Sequence, residues 1–329
     1  MTMLRKSIWG SLLSGVLLVC GSVHAAAAMA GESGDIKLIF HATAHDALYD
    51  IAFEGRNGIA VGAFGIVLTS EDGGATWLRQ WAAPNAIALL GVAMRAGKCV
   101  IVGQMGSVFT ADDCRQWKPA TTGIKARLVS VSVSGRGDAY AVGAFGTILK
   151  SADWGNTWKS VPMDWSHVTA DGAEPHLYGV HLSDDGVVTL VGEFELILRS
   201  VDGGVRWTVL HKGERSLFAL FLGNDGKGYA VGQSGAVLGT SDGGATWRSL
   251  DSGTTAILIG VVAAPNGEIV ATGINAILSS ADGGLSWGSM RSKMVSNAWH
   301  EAAAASQDAS GKQRILTVGA GGTILELNR

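Results

Sequence analysis

The sequence predicts an all-β protein, a β-propeller of seven four-stranded blades, from three observations. A segment of eight residues that ends in tryptophan recurs at intervals of about 40 residues. A second motif, close to Val-Gly-x-x-Gly, recurs about eight residues before each such octet. The chain has 47 glycines and 11 tryptophans but only 16% charged residues, which is typical of many short strands joined by tight turns.

The two motifs divide the chain into repeats of one size. The six octets span 70–77, 110–117, 151–158, 200–207, 240–247 and 280–287, and the seven markers begin at Val61, Val102, Val142, Val191, Val231, Thr272 and Val318. In the first repeat, alternating residues predict an inner strand at Leu48–Phe53, a second strand ending at Gly62, a third at Ile66–Thr69 and a fourth from Trp77. Four antiparallel strands in about 40 residues predict a propeller blade.

The last repeat has a marker but no octet, so its blade lacks an outer strand. The segment Ile36–Phe40 precedes the first blade and has the pattern of a strand without a partner. Pairing it with the strand at Thr323–Leu327 closes the ring and covers the exposed edge. We therefore predict that residues 31–329 form one seven-bladed domain.

The first thirty residues have the features of a secretory signal peptide. Arg5 and Lys6 precede a short apolar stretch, and an alanine-rich segment with small residues suited to cleavage follows. We expect an exported protein, periplasmic or otherwise extracytoplasmic, that is not membrane-spanning after cleavage and is a monomer. The formal net charge of −3 gives no reason to expect a nucleic-acid partner.

The octets carry chemistry that is local to a turn. An aspartate can accept backbone N–H groups across the turn, glycine allows a positive φ, and tryptophan buries a large ring. We interpret the repeated aspartates as structural: Asp72, Asp153, Asp202, Asp242 and Asp282. In the second octet Cys114 replaces a glycine, and either Asp112 or Asp113 is the equivalent aspartate.

The octets resemble the Asp-box of BNR-repeat propellers. Combined with the marker over residues 35–329, they resemble the photosystem II stability/assembly factor family. The resemblance implies a propeller that serves as an assembly factor by binding protein. Because Asp-boxes also occur in sialidases, glycosidases and sortilin-like receptors, they specify the fold better than the function.

Two acidic residues suggest an alternative function. The predicted alignment places Asp50 and Glu301 at one level of the inner strands, in blades that ring closure makes neighbours. Such a pair could serve a glycan-acting hydrolase or lectin at the channel mouth, with one pKa raised by the other. A solvated acidic mouth or a cation site is the interpretation we prefer, because no substrate-shaping loops accompany the pair. The four tyrosines are interpreted as core residues: Tyr49, Tyr140, Tyr178 and Tyr229.

The cysteines and histidines are candidate disulfide or metal-binding residues. Cys99 and Cys114 lie in one repeat and form either a disulfide or two buried thiols. The spacing of His167, His176 and His181 matches no ligand pattern, so we predict neither a metal site nor a cofactor.

The strongest functional signal lies at the predicted hairpin tips. The fourth marker residue is Phe64, Met105, Phe145 and Phe194 in blades one to four, and Ser234, Asn275 and Gly321 in blades five to seven. An insertion at 161–175 containing Trp165, together with Arg127 and His176 at the starts of inner strands, should lie on the same face. Either these side chains bind a protein partner, such as an envelope or membrane complex, or they fold inward over the channel. The first interpretation predicts a scaffold and not an enzyme.

Overall fold

The computed structural model describes residues 36–328. The proposed signal peptide at residues 1–30 lies outside the described residues. Between residues 36 and 328 no helix has the length and apolar character needed to cross a membrane.

Seven four-stranded antiparallel sheets make up the fold, and each is one blade. The strands of blades one to three are β2 (Leu48–Glu54), β3 (Asn57–Gly62), β4 (Ile66–Ser70), β5 (Leu78–Ala82); β6 (Leu89–Arg95), β7 (Lys98–Gly103), β8 (Val108–Ala111), β9 (Lys118–Ala120); β10 (Leu128–Val133), β11 (Ala139–Gly143), β12 (Ile148–Ser151) and β13 (Lys159–Ser160).

The remaining blades follow the same order of strands. Blades four to six contain β14 (Leu177–Leu182), β15 (Val188–Gly192), β16 (Ile197–Ser200), β17 (Thr208–His211); β18 (Leu217–Leu222), β19 (Gly228–Gly232), β20 (Val237–Thr240), β21 (Arg248–Leu250); β22 (Leu258–Ala263), β23 (Ile269–Gly273), β24 (Ala276–Ser280) and β25 (Gly288–Ser289). Short 3-10 turns lie at Ala63–Gly65, Pro84–Ala86, Gln104–Gly106, Trp165–His167 and Gln233–Gly235, and one short helix, α1, spans Lys293–Ser296.

Blade seven combines the two ends of the chain. It consists of β26 (His300–Gln307), β27 (Gln313–Gly319), β28 (Ile324–Leu327) and, as its outer strand, β1 (Ile36–Phe40). β1 pairs antiparallel with β28, with Ile36 opposite Leu327. The predicted seven blades and the predicted closure by the N-terminal strand are confirmed, and β28 starts at Ile324, one residue later than predicted.

The path of each blade separates two kinds of turn onto opposite faces of the ring. The marker turns join the second and third strands on one face, which we call the tip face. The octets join the third and fourth strands on the other, the octet face. The innermost strands of adjacent blades contact one another around the axis, so they surround a central channel.

Hydrogen bonds within each octet hold its turn. In the first, the Asp72 carboxylate accepts the Ser70 hydroxyl at 2.8 Å, the Thr76 backbone N–H at 3.0 Å and the Thr76 hydroxyl at 2.6 Å. The Trp77 indole N–H donates to the Gly74 carbonyl. The octets of Asp153, Asp242 and Asp282 repeat this network, and Asp202 uses Arg206 in place of the threonine. Each carboxylate is thus engaged within its own turn.

The second octet is held differently. Cys114 forms a disulfide with Cys99, and their Cα atoms lie 5.1 Å apart. The Asp113 carboxylate accepts the backbone N–H groups of Arg115 and Gln116. Asp112 points instead to the Lys98 ammonium. A covalent link therefore takes the place of the lost glycine at this turn.

The hydrophobic core lies between blades. One cluster joins Val100 and Val102 of blade two to Leu128 and Leu149 of blade three, and the other clusters follow the same plan. Tyr140 and Tyr229 are buried in such clusters, as the sequence predicts. Each blade is stabilised mainly by burying apolar surface against its neighbours.

Candidate functional site

Four apolar side chains project from consecutive marker turns of the tip face. Phe64, Met105, Phe145 and Phe194 are 55%, 62%, 66% and 42% exposed. Exposure to this extent disfavours the second of the two interpretations offered by the sequence, in which these side chains are buried against each other over the channel. Large apolar groups exposed on four adjacent blades form one sector of the face.

The backbone at these tips makes the apolar residues unfavourable choices. The fourth marker residue has a left-handed conformation, with φ of 52° at Phe64, 57° at Met105, 54° at Phe145 and 61° at Phe194. Bulky residues avoid this region, at a cost of about 1 kcal/mol, whereas Asn and Gly adopt it readily. Blades six and seven have Asn275 and Gly321 there, so the fold does not itself require phenylalanine or methionine.

The insertion lies beside this sector, but the prediction that Trp165 is exposed on the tip face is wrong. The Gly146 N–H donates to the Pro175 carbonyl, which ties the insertion to the marker turn of blade three. Trp165 is only 6% exposed and packs with Val168 in the core between blades three and four. Gly146 leaves the space that the indole fills, because a Cβ there would lie 2.5 Å from the Trp165 Nε1. Trp165 therefore supports the face from beneath and is not an exposed anchor.

A ring of half-buried side chains lies at the channel mouth on the same face. Each innermost strand has a β-bulge just after its first residue, at the end nearest the marker turns. The bulged residues, which we call the collar, are Tyr49, Leu90, Val129, Tyr178, Phe218, Ile259 and Glu301. A bulge redirects a side chain from the normal alternation of a strand. The prediction that Tyr49 and Tyr178 belong to the core is wrong for this reason.

Aromatic contacts join the tips to the collar. The Phe145 ring lies 5.0 Å from the His176 ring, which lies 6.3 Å from the Tyr178 ring. Tyr178 in turn meets Phe218 of the next blade at 5.0 Å. Across the mouth, Tyr49 stacks on Trp299 at 5.9 Å. The result is a continuous aromatic surface from the blade-three tip to the axis.

The predicted pairing of Asp50 with Glu301 at one level is wrong. Asp50 stands opposite Val61 in the second strand of its blade, and the equivalent residue opposite Val318 is Ala302, so Glu301 belongs to the collar. In blade seven the predicted alignment of inner strands is displaced by one residue. The reason is that His300 occupies the position of the first leucine of the other inner strands, so the apolar residue that marks this position is missing.

The Asp50 carboxylate has a structural role. It accepts the backbone N–H of Ile51 and that of Val92 in blade two, both at 2.8 Å. Burial nevertheless raises its pKa to about 7, against the opposing effect of these two hydrogen bonds. Since Asp50 links two blades through its oxygens, the structure offers little support for it as a catalytic acid or base.

Glu301 is the one carboxylate among the seven collar residues. Burial raises its pKa to about 7, and the negative charge of Asp50 adds to the shift. Its charge also raises the pKa of Tyr49, after the effect of burial. Near neutral pH the channel mouth therefore carries an acidic group that is protonated in part of the molecules.

Polar residues stand around the apolar sector. Arg127 is exposed immediately before β10, and its carbonyl accepts the Ala144 N–H of the blade-three tip. His176 is half-buried at the start of β14, where its backbone N–H donates to the Glu193 carboxylate at 2.8 Å. Both residues thus contact the marker turn of blade three.

The histidines do not come together. His167 is exposed in the insertion, His176 lies at the tip face, and His181 is near the opposite end of β14. In the part of the chain from residue 36 to 328, no three His, Cys, Asp or Glu side chains are grouped to hold a metal ion.

Sequence reasoning missed the collar, although a signal for it exists. In six blades the residue after the first leucine of the inner strand is apolar, where strict alternation would permit a polar residue facing water. A bulge repeated in every blade explains this column, but its position depends on strand pairing.

Comparison with known proteins gives structural neighbours alone. No protein-family model and no curated protein matches the sequence. Among solved structures, YCF48 bound to D1 peptide is similar with a TM-score of 0.67 and 17% identity, covering 90% of this chain and 94% of that one. YCF48 from Cyanidioschyzon merolae gives a TM-score of 0.68 at 20% identity, with 89% and 98% covered. The WD40 β-propeller domain of Doa1 gives 0.67 at 12% identity, with 89% and 95% covered. At these identities the likeness shows the fold, that of a seven-bladed β-propeller.

Proposed function

We propose that this chain is an exported protein-binding scaffold that docks a partner on its tip face and assists the assembly of an envelope or membrane protein complex. The observation that carries the proposal is the sector of four exposed apolar tips. Each of these residues sits on left-handed backbone that favours Asn or Gly. A role in binding explains why four adjacent turns carry residues that their backbone conformation disfavours.

The chemistry of the face suits a polypeptide better than a glycan. Aromatic residues, methionine and arginine are the side chains most enriched at protein interfaces, and buried anchors surrounded by polar groups dominate their energetics. Here Phe145 and Phe194 are the central anchors, and Arg127, Glu193 and His176 provide the polar surround. A glycan-acting site at Asp50 lacks support, because both oxygens of that carboxylate accept backbone N–H groups.

The comparisons support the proposal through one structural neighbour. One structural neighbour, YCF48, has been solved bound to D1 peptide, so a propeller of this fold can bind a polypeptide segment. Export and a periplasmic location rest on the signal-peptide features of residues 1–30, and a monomeric state rests on the closed ring.

The test compares binding and stability in two double variants. Phe145→Ser with Phe194→Ser removes two anchors, and Ser234→Ala with Asn275→Ala changes the same turn position in blades five and six. The processed protein is cross-linked in its own envelope fraction, and captured proteins are identified by mass spectrometry. We expect one envelope protein to be enriched by the wild type and the control pair, and to be lost with the phenylalanine pair.

Two results would contradict the proposal. If the phenylalanine pair captures the same protein as well as the wild type does, the binding surface lies elsewhere. If that pair lowers the melting temperature far more than the control pair does, the rings serve the fold. Recovery of the uncleaved chain from the cytoplasm would separately overturn export.

A further inference from the structure

The octet face contains a second site of a different kind, between blades four and five. Two residues before each marker, the second strand directs a side chain toward the next blade, and toward its octet where that blade has one. These residues are Ile59, Val100, Tyr140, Thr189, Tyr229, Val270 and Leu316. Thr189 alone among them is polar without a large ring.

In other blades this side chain fills the space against the next octet. The Tyr140 hydroxyl lies 3.4 Å from the Cβ position of Gly204, and Tyr229 lies 3.4 Å from that of Gly284. Leu316 and Val100 contact the equivalent glycines of blades one and three. At Gly244 the three nearest atoms to the Cβ position belong to Leu222 and Trp247, both from blade five itself.

Thr189 therefore leaves a cleft where other blades have a packed side chain. The cleft has a volume of about 430 Å³, large enough for a small molecule of several heavy atoms. A row across blade four lines its floor, because His181 pairs with Thr189 and Thr189 with Arg199 in adjacent strands. Asp184, Asp185 and Asp242 lie at its edge and are exposed, and Asp184 forms an ion pair with Arg95.

The floor contains polar atoms without partners. The Thr189 hydroxyl and the Arg199 Nε are buried and make no hydrogen bond, although the Thr189 side chain is only 1% exposed. An unsatisfied buried donor destabilises the folded protein, and more so when it is charged. His181 stays neutral near pH 7, because burial lowers its pKa to about 4. The floor therefore presents one cation and uncharged groups.

The edge has the opposite charge. Asp185 accepts the Ser183 hydroxyl, and Asp242 accepts hydrogen bonds within its octet. Hydrogen bonds from Thr246 and Thr240 hold the Asp242 pKa well below its usual range, so the group is negative at neutral pH. A cation at the base and the two edge carboxylates that remain outside the Arg95–Asp184 ion pair form a dipolar cleft.

We propose that this cleft binds a small zwitterion of the α-amino acid class, with its carboxylate on Arg199 and Thr189 and its ammonium group toward Asp185 and Asp242. The planar guanidinium is suited to a carboxylate. A simple anion would meet the two edge carboxylates, and a simple amine would leave Arg199 unpaired. The site is on the face opposite the tips, so it is independent of the proposed function.

The experiment titrates the purified protein with free amino acids by isothermal calorimetry. N-acetylated and carboxamide derivatives, acetate and methylamine are tested at the same concentrations. We expect saturable binding of one or more free amino acids and a loss of about tenfold or more when either charge is blocked, as for a lost charge-assisted hydrogen bond.

Three variants locate the site. Arg199→Gln removes the cation, and Thr189→Tyr fills the cleft with the ring that blades three and five already have. Lys150→Gln is the control, since Lys150 is the equivalent of Arg199 in blade three and its ammonium contacts the Gly203 carbonyl. We expect both cleft variants to lose binding and the control to retain it.

Each remaining outcome counts against the proposal. It is overturned if no free amino acid binds, or if blocked derivatives bind as tightly as the zwitterion. It is equally overturned if Arg199→Gln, shown by its circular dichroism to be folded, binds like the wild type. Should Thr189→Tyr fail to fold, the Arg199 variant and its Lys150 control decide the matter.

Discussion

The two faces of this ring are built from equally regular turns but treat their side chains in opposite ways. On the octet face, Asp72 and its equivalents are held by hydrogen bonds from the same turn. On the tip face, Phe64 and Phe145 project into solvent from a backbone that gains nothing from them. The octet aspartate, which recurs in nearly every blade, is thus used to hold its own turn. The fourth marker residue, which varies between blades, is available to bind a partner.

This difference separates two kinds of repeat signal. A side chain whose partners lie within its own turn is explained by stability, however often it recurs. A side chain without such partners, in a conformation that disfavours it, needs an explanation from outside the turn. Thr189 follows the same logic on the octet face, since it departs from six apolar or aromatic equivalents and leaves polar atoms unpaired.

The largest effect that would sharpen the comparison is expected at Trp158. Its ring is buried and its indole N–H donates to the Gly155 carbonyl at 2.8 Å. We expect Trp158→Ala to lower the free energy of unfolding by about 3–5 kcal/mol, measured by guanidinium unfolding. Trp158→Phe serves as a control that keeps most of the apolar surface. A loss below about 1 kcal/mol for the alanine variant would contradict the claim that the octet residues serve mainly to stabilise the fold.

The disulfide gives the next largest effect. In the second octet, Cys99–Cys114 stands where the other turns rely on glycine and hydrogen bonds. Closing a loop of about 15 residues is worth roughly 3 kcal/mol, so Cys99→Ser with Cys114→Ser should destabilise the protein by about that amount. Mass spectrometry without reduction tests the bond itself. Finding two thiols open to alkylation in the exported protein would contradict it.

Glu301 should show a pH dependence opposite to that of the octet aspartates. Burial and the Asp50 charge raise its pKa to about 7, whereas the Ser286 hydrogen bonds lower the pKa of Asp282 to about 2. The folded protein therefore loses stability from Glu301 as the pH rises from about 4.5 to 7, and from Asp282 as it falls from about 4 to 2.

Glu301→Gln isolates the first of these trends. We expect a gain of about 1 kcal/mol at pH 8 and almost none at pH 4.5, allowing for partial exposure. Guanidinium unfolding at the two pH values measures it, with Glu193→Gln as a control on the same face. An equal gain at both pH values would show that ionisation of Glu301 is not the cause.

The smallest predicted effect is at a tip. Met105→Asn places in blade two the residue that blade six already has at the same left-handed position. We expect stability to stay the same or to rise by up to about 1 kcal/mol in thermal unfolding, because asparagine adopts this backbone more readily. Asn275→Met is the reverse control. A clear loss on Met105→Asn would mean that the exposed side chain stabilises the fold.

Much of the architecture could be predicted because its determinants are local. Aspartate, glycine and tryptophan act within one turn, so the octets predict the blades. The unpaired strand at Ile36–Phe40 predicts how the ring is closed. The register of blade seven could not be predicted from apolar pattern alone. His300 takes the place of leucine there, and Trp299 before it looks like the missing apolar residue.

The functional residues were predicted less completely, because their environment is set by neighbouring blades. The exposure of Phe145 follows from its turn, but the burial of Trp165 depends on the space left at Gly146 in the blade before it. Thr189 could have been found by aligning the residue two before each marker. Its meaning emerges only when the missing contact to Gly244 is seen.

The pairing of β1 with β28 also determines how the molecule responds to force. Ile36 stands opposite Leu327, so the two chain ends leave the ladder from the same side. Pulling the termini apart therefore loads one pair of hydrogen bonds at a time, as in a zipper, instead of shearing the whole strand at once. Each other blade is a continuous segment of chain with no such free end. Under tension this ring should open first at its seventh blade, exposing the edge of β28 before any other blade separates.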